Sequence, residues 1–286
     1  MNTVGIIILY NPDIQFVEQN INKLAACSIP TILVDNSANQ QQISGSSIHS
    51  YNHCLSNVGI AKAQNIGLQI AKESGFEYAF LLDQDSNLNT DLIYGVQNGM
   101  KEAKSIFDKV ASVSPRVVCS FSGSVVKPTI QKTLTKQDSF VSVPQAIASG
   151  MLVQLEALKD VGQKDESLFI DGVDHEWCWR ARTKGYHILL DERIEMLHTQ
   201  GDSRLKFCGV KFKIGSEIRL YYQFRNVITL SRRSYVPLYW KCRQLLGLPI
   251  RYIVNRYLVE NGRKRGYYMR RGLSDGVKGK TGKFFD

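Results

Sequence analysis

An α/β fold with a mainly parallel sheet is expected from three features of the chain. The first is a continuous apolar, β-branched run near the start, VGIIILY over 4–10, which suits a strand buried on both faces. The second is the alternation of such runs with stretches of helical spacing, the mark of βαβ units. The third is a polar turn rich in Asp and Asn after each of the early strands, where open α/β sheets bind ligands.

In order, 4–10 ends at Asn11-Pro12, and 14–26 shows helical spacing through Ile14, Val17, Ile21, Leu24 and Ala25. TILVD (31–35) is a second strand, closed by the turn-forming DNSAN. A helix follows over about 61–74, then the strand FEYAFLLD (76–83), a helix over 91–107 and the strand KVASVSPRVV. Residues 120–145 are Ser/Thr/Lys-rich and read as a loop with an edge strand. AIASGMLVQLEALKDVG reads as a strand leading into a helix, and 174–184 as a helix before a strand at 186–190. Three strand ends carry Tyr10-Asn11, Asp35-Asn36 and Asp83-Gln84-Asp85, and all three should open onto one crevice.

Composition is that of a globular protein, with 43% hydrophobic and 22% charged residues in 286. Cys27, Cys54, Cys119, Cys178, Cys208 and Cys242 are scattered without a CxxC pair, which suggests reduced thiols in a cytosolic compartment. The first residues lack the basic flank of a signal peptide. No stretch approaches the roughly 20 apolar residues that a membrane-spanning helix needs. Charge is uneven: 1–203 hold 16 basic against 22 acidic residues, whereas 204–286 hold 20 against 4. An acidic body with a tail of +16 suggests chemistry in the body and an anionic surface for the tail.

The ordered motifs LYNP, LVDNS, NVGIAKAQNIGL, LLDQDS, ASGMLV, FIDGVDHEWCWRA and MLHTQGDSR resemble family 2 glycosyltransferases of the GT-A fold, most closely the bacterial rhamnosyltransferase branch. The resemblance spans roughly residues 3–205, and in the tail YYQFRN and GLSDGVKGKTGK resemble the ends of such enzymes. It implies a nucleotide-sugar-binding and catalytic domain over 1–205 and a basic, mainly helical region over 206–286.

The resemblance also assigns roles. Asp35 would read the imide N–H of a uracil or thymine, although an Asx-turn explains the residue as well. Asp85 would ligate Mg²⁺ or Mn²⁺ against the donor diphosphate, since hard cations prefer carboxylate and phosphate oxygens. Asp83 would face the ribose and the outer shell of the metal. His198 would be the second ligand, and Arg204, beyond Gly201-Asp202, would donate to phosphate oxygens. Tyr10, Asn11, Asn57, Gly59 and Lys62 would touch nucleotide or sugar.

Asp174 would be the base that takes the acceptor's proton in an inverting transfer. An ordinary N-cap is the competing reading, and Asp171 and Glu176 are neighbouring carboxylates. Glu176 and Trp177, with Gly150 and Met151 of ASGM, would form the acceptor side.

The implied donor is dTDP-L-rhamnose, with other UDP-, dTDP- or GDP-sugars as alternatives. The implied acceptor is a lipid-linked or oligosaccharide precursor of a bacterial surface polysaccharide. Residues 235–271, with Tyr235, Tyr239 and Trp240 beside Lys241 and Arg243, suit an anionic membrane surface on the cytoplasmic side. A structural cap or an oligomer contact is the other use of such a tail. A dehydrogenase would need GxGxxG after the first strand, where this chain reads YNPDIQ. Nucleic-acid binding through the tail is a further rival, weakened by the acidic body and the lack of any known module.

Overall fold

The computed structural model describes residues 1–119, 134–198, 203–207 and 210–285. Its first half is β1 (Thr3–Leu9), α1 (Ile14–Ala26), β2 (Thr31–Asp35), β3 (Ile48–His53), α2 (Ile60–Glu73), β4 (Tyr78–Asp83), α3 (Thr90–Ile106) and β5 (Val110–Cys119). Every residue of β1 is buried, because β2 and β4 flank it in parallel and helices cover both faces. Its side chains alternate: Ile7 and Leu9 pack under α1 and α3, whereas Val4, Ile6 and Ile8 pack towards α2. Asp13 and Asn89 cap α1 and α3, each accepting a backbone N–H of the first turn.

The second half is β6 (Thr135–Gln137), β7 (Phe140–Ser142), β8 (Met151–Gln154), α4 (Ala157–Val161), α5 (Val173–Thr183), β9 (His187–His198), β10 (Ser203–Phe207), β11 (Val210–Ile214), α6 (Glu217–Ser231), α7 (Leu238–Ile253) and α8 (Gly262–Val277). One nine-stranded sheet runs β3-β2-β1-β4-β8-β5-β9-β7-β6, and β10 pairs with β11 separately. The half from β3 to β4 is parallel, as the periodicity predicts. Beyond it the sheet is mixed, because β8 enters antiparallel to both β4 and β5.

Two strands depart from the sequence reading. β3, with the sequence IHSYNH, is half-buried along most of its length; a polar edge strand has no periodicity to detect. β9 extends through DERIEMLH to residue 198, pairing with both β5 and β7.

Helices α6–α8 do not stand apart from the body. Leu220, Phe224, Val227 and Met269 share an apolar cluster with Ala61, Val173 and Trp179. Contact between α6 and α8 is close enough to require glycine: a Cβ at Gly272 would lie 2.4 Å from the Tyr221 carbonyl oxygen. A rigid backbone atom cannot yield to it, so Gly272 is fixed by packing.

Candidate active site

Register aligns the three strand ends. Leu9 lies opposite Asp35, and Ile8 lies opposite Asp83, so residues 10–11, 35–37 and 83–86 meet at one edge of the sheet. Gln84 ties two of these loops together. Its amide accepts the Tyr10 N–H at 2.6 Å and donates to the Tyr10 carbonyl at 3.2 Å. The Asn11 N–H donates to Ser37 Oγ at 2.8 Å, with Asn11 in the left-handed region at φ 47°. Tyr10, Asn11, Lys62 and Asp85 are exposed around this edge. Asn57 is half-buried; its Oδ1 accepts from Asn36 Nδ2 at 3.1 Å and from the Gly59 N–H at 2.9 Å.

The acidic residues converge here. Asp83 is half-buried; burial first, then the charges of Asp174 and Asp85, push its carboxyl up to about 7, while Arg219 pulls the other way. Ser86 links the two loops that carry these groups, donating to Ser149 or accepting from it at 2.8 Å and accepting the Asp83 N–H at 2.9 Å. One residue before Ser149, the Ala148 N–H donates to Asp174 Oδ2 at 3.1 Å. Lys164 Nζ donates to the other Asp174 oxygen at 3.4 Å, and its side chain is only 1% exposed. Asp174 is not an N-cap. Gly172 holds that position in the left-handed conformation, which leaves Asp174 within the first turn, its carboxylate held by the Ala148 N–H and Lys164 and close enough for its charge to act on Asp83.

Asp83 therefore makes stability depend on pH. Its folded pKa, about 7, lies above the roughly 3.9 of an unfolded aspartate. From about pH 4 to 7 the folded chain keeps a proton that the unfolded chain has lost, so stability falls as pH rises through that window and levels off above it. Asp83→Asn removes this effect. In chelator it is expected to raise stability at pH 8 by on the order of 2–4 kcal/mol, and by less at pH 5. Melting curves at the two pH values check this, and an equal shift at both would contradict it.

Several expected contacts are corrected by burial. Glu176 is 1% exposed and already engaged by Arg180 at 2.6 Å, by the Tyr235 hydroxyl at 2.6 Å and by Arg233 at 3.4 Å. It anchors α5 rather than touching an acceptor. Trp177 is fully buried, donating to the Gly162 carbonyl at 3.0 Å beneath Lys164, whose Nζ lies 4.7 Å from the ring centroid. No sugar can stack on it. Met151 and Gly150 are buried as well. The Gly150 N–H donates to the Leu81 carbonyl at 2.9 Å, so ASGM braces the end of β4 instead of lining a pocket.

Asp35 is fully buried too. It accepts from the Ser37 and Gln41 N–H groups and from the Tyr51 hydroxyl. Burial works to raise its carboxyl, but these hydrogen bonds outweigh it and hold the group below its usual range. It fixes the loop after β2 and is not open to a base. Gly59 makes its close approach to protein rather than ligand: a Cβ there would sit 2.7 Å from the Phe169 carbonyl oxygen, at φ 87°. The His198 and Arg204 side chains lie outside the described residues, as do Gly201 and Asp202; the backbones of His198 and Arg204 belong to β9 and β10.

Five contributors were given no role in the sequence reading. Lys164 and Gln84 are placed above. Arg219, from α6, grips Asp171 with both carboxylate oxygens at 2.8–3.1 Å and reaches the field of Asp83. Arg225 is 1% exposed; it donates to the carbonyls of Ser167, Leu168 and Gly282, while Asn226 donates to those of Leu168, Ile170 and Asp171. Phe169 and Asp171 both have φ 65°, a conformation L-residues adopt at a cost, and this pair holds it. Arg225 and Asn226 end the motif YYQFRN, so the signal was in the sequence without its role. Arg225→Met strands several buried carbonyls and is expected to destabilise by about 2–4 kcal/mol in denaturant titrations; a loss within 0.5 kcal/mol would show that the loop holds itself.

No protein-family model matches the chain. The dTDP-rhamnosyl transferase RfbF of Shigella flexneri is 31% identical over 294 aligned residues, covering 98% of this chain and 97% of that protein. Among solved structures, GalNAc-T7 with UDP, GalNAc and Mn²⁺ matches with a TM-score of 0.58 at 12% identity, over 96% of this chain and 56% of its own. Staphylococcus aureus TarS matches with a TM-score of 0.51 at 12% identity, over 97% of this chain and 49% of its own. The chain thus spans about half the length of these two structures, and at such identity the likeness is one of fold. Near-complete coverage at 31% identity carries more: the chain is a glycosyltransferase of the GT-A fold and belongs to the rhamnosyltransferase-like family.

Proposed function

We propose that the protein is an inverting, metal-dependent glycosyltransferase that moves L-rhamnose from dTDP-L-rhamnose onto a lipid-linked or oligosaccharide precursor of a bacterial surface polysaccharide. The observation that carries this is the crowding of Asp174, in the first turn of α5, with Asp83 and Asp85 at the end of β4. Carboxylates gathered this closely repel one another unless a cation or hydrogen bonds compensate.

The donor set fits Mg²⁺ or Mn²⁺. Among the described residues no group of three or more His, Cys, Asp and Glu could hold a metal alone. Asp85, with Asp83 behind it, therefore offers one or two oxygens and leaves the other positions to diphosphate and water, as such cations prefer. His198 and Arg204 remain the expected partners. A bound cation would neutralise charge on the departing diphosphate.

The chain's own residues do the rest. Tyr10, Asn11, Asn57 and Lys62 frame the donor. Asp174 takes the acceptor's proton as its oxygen attacks the anomeric carbon, on the face opposite the leaving group. Lys164 and the Ala148 N–H fix the carboxylate's orientation. In this reading residues 1–205 bind the donor and perform the chemistry, and 206–286 complete the site from behind through Arg219 and Arg225.

The same reading places the protein at the inner face of the cell membrane. No helix among the described residues is long and apolar enough to cross a membrane. Leu238, Leu246, Ile250, Ile253 and Tyr257, spaced on one face of α7 and the turn after it, are 51–76% exposed. Lys241, Arg243, Arg256, Arg263 and Lys264 surround them in sequence. Two of the interfacial aromatics expected from sequence turn inward instead: Trp240 packs 5.1 Å from Trp179, and Tyr235 bonds Glu176. Co-sedimentation with anionic liposomes should fall with salt and be lost in Leu246→Glu/Ile250→Glu; equal binding to neutral liposomes would contradict an electrostatic surface. A donor screen tests the activity, with dTDP-L-rhamnose expected to be hydrolysed faster than UDP- or GDP-sugars in the presence of metal.

A further inference from the structure

A cavity of about 500 Å³ lies between the start of α5, α6 and α7, lined by Asp171, Gly172 and His175 at one end and by Arg243, Gln244 and Arg251 elsewhere. It is linked to the crevice through Asp171, which lines it and is gripped by Arg219, whose charge also acts on Asp83. Its charge is unbalanced. Arg251 is half-buried and donates to Gln244 Oε1, a neutral amide, and Arg243 is exposed. Among the described residues neither arginine forms an ion pair. Burial, and then the charge of Arg243, hold the Arg251 guanidinium below its usual range, with Asp171 opposing. The carboxylate within reach is already clasped by Arg219 through both oxygens.

Two like charges brought to one cavity without a counter-ion call for an anionic ligand. The remaining lining suits a glycan-bearing one. Gln223 and Asn255 offer amides, and Trp240 with Leu220 supplies apolar wall. The lining also gives a direction: Asp171, Gly172 and His175 stand at the end nearer the crevice, and the arginines sit on α7. The outer face of α7 is the exposed apolar stripe, so one helix presents aliphatic side chains outward and guanidinium groups to the cavity.

We infer that this cavity is the acceptor subsite and that Arg243 and Arg251 bind a phosphate or diphosphate group through which the acceptor glycan is carried. A doubly charged group matches two guanidiniums better than a lone sugar carboxylate does. This rests on the glycosyltransferase reading above and names the acceptor's charged class.

Calorimetric titration of the full chain with inorganic pyrophosphate in chelator tests it. Without metal the acidic crevice repels anions, so binding reports the cavity. The wild type should bind at one site, with affinity falling on the order of 10-fold or more in Arg243→Ala and in Arg251→Ala, whose folds are checked by thermal melting. Arg251→Lys should restore part of the loss, and Asp85→Ala should not weaken binding. Farnesyl diphosphate supplies the second arm: tighter binding than pyrophosphate assigns the anion to a lipid carrier, and equal binding assigns it to a soluble phosphate ester. Absence of binding by the wild type, or binding indifferent to both arginines, overturns the proposal. Wild-type protein that binds pyrophosphate in chelator yet hydrolyses no nucleotide sugar would instead sink the transferase reading and leave the cavity standing.

Discussion

Asp174→Asn is expected to leave donor binding close to wild type while transfer falls on the order of 10²–10⁴-fold, the contribution of a positioned base. The amide keeps an oxygen to accept the Ala148 N–H and nearly the same volume, but the buried Lys164 loses its counter-charge, so a thermal melt must show the variant folded at the assay temperature. Its neighbours are poor substitutes. Glu176 is buried under Arg180, Arg233 and Tyr235, and Asp171 is held by Arg219. A single-turnover assay with saturating donor isolates the chemical step. Near-wild-type transfer would hand the role to Asp171, which lines the acceptor cavity.

Asp85→Ala should abolish metal-dependent donor binding, because the cation loses its exposed carboxylate and the diphosphate its counter-charge. Calorimetry of dTDP in Mg²⁺ and in chelator is the measurement. The variant should behave in both buffers as the wild type does in chelator, a weakening on the order of 100-fold relative to wild type with metal. The substitution also relieves one of the charges that raise Asp83, so the fold should not suffer. If metal strengthens dTDP binding equally in both proteins, the cation lies elsewhere and residues 83–85 are a polar turn.

How much of this was legible depended on what leaves a periodic trace. VGIIIL, TILVD and YAFLLD are buried on both faces and announce themselves by composition, and the parallel register then brings their polar ends together. The helices from 14, 60 and 90 carry their stripes and begin within a residue of expectation. β3 left no such trace, and with it went Tyr51, whose hydroxyl holds Asp35. The antiparallel entry of β8 is likewise set by long-range pairing that no local pattern encodes.

Within the site, residue type pointed to chemistry but not to exposure. Asp83 and Asp85 stood out as carboxylates at a strand end, whereas Asp174 was singled out by the family resemblance. Glu176 and Trp177 sit in the same motif, yet the 3.6-residue turn of α5 directs them into the core. Lys164 and Arg219 are single basic residues just outside the motifs used to find the site, and only the fold reveals which carboxylates they meet. The tail shows the same limit. Its aromatics beside clustered Lys and Arg were visible, but Trp240 falls on the buried side while Leu238 and Leu246 fall outside.

The central claim is that one crevice at these strand ends binds a metal-bridged nucleotide sugar and displaces its diphosphate with inversion. Proton NMR of dTDP-L-rhamnose mixed with the full chain in Mg²⁺ tests it most directly, read early enough to precede mutarotation of the released sugar. The account predicts release of dTDP with the first rhamnose anomer opposite in configuration to the donor, and no release in chelator. Retention of configuration, or release that persists undiminished without metal, would contradict it.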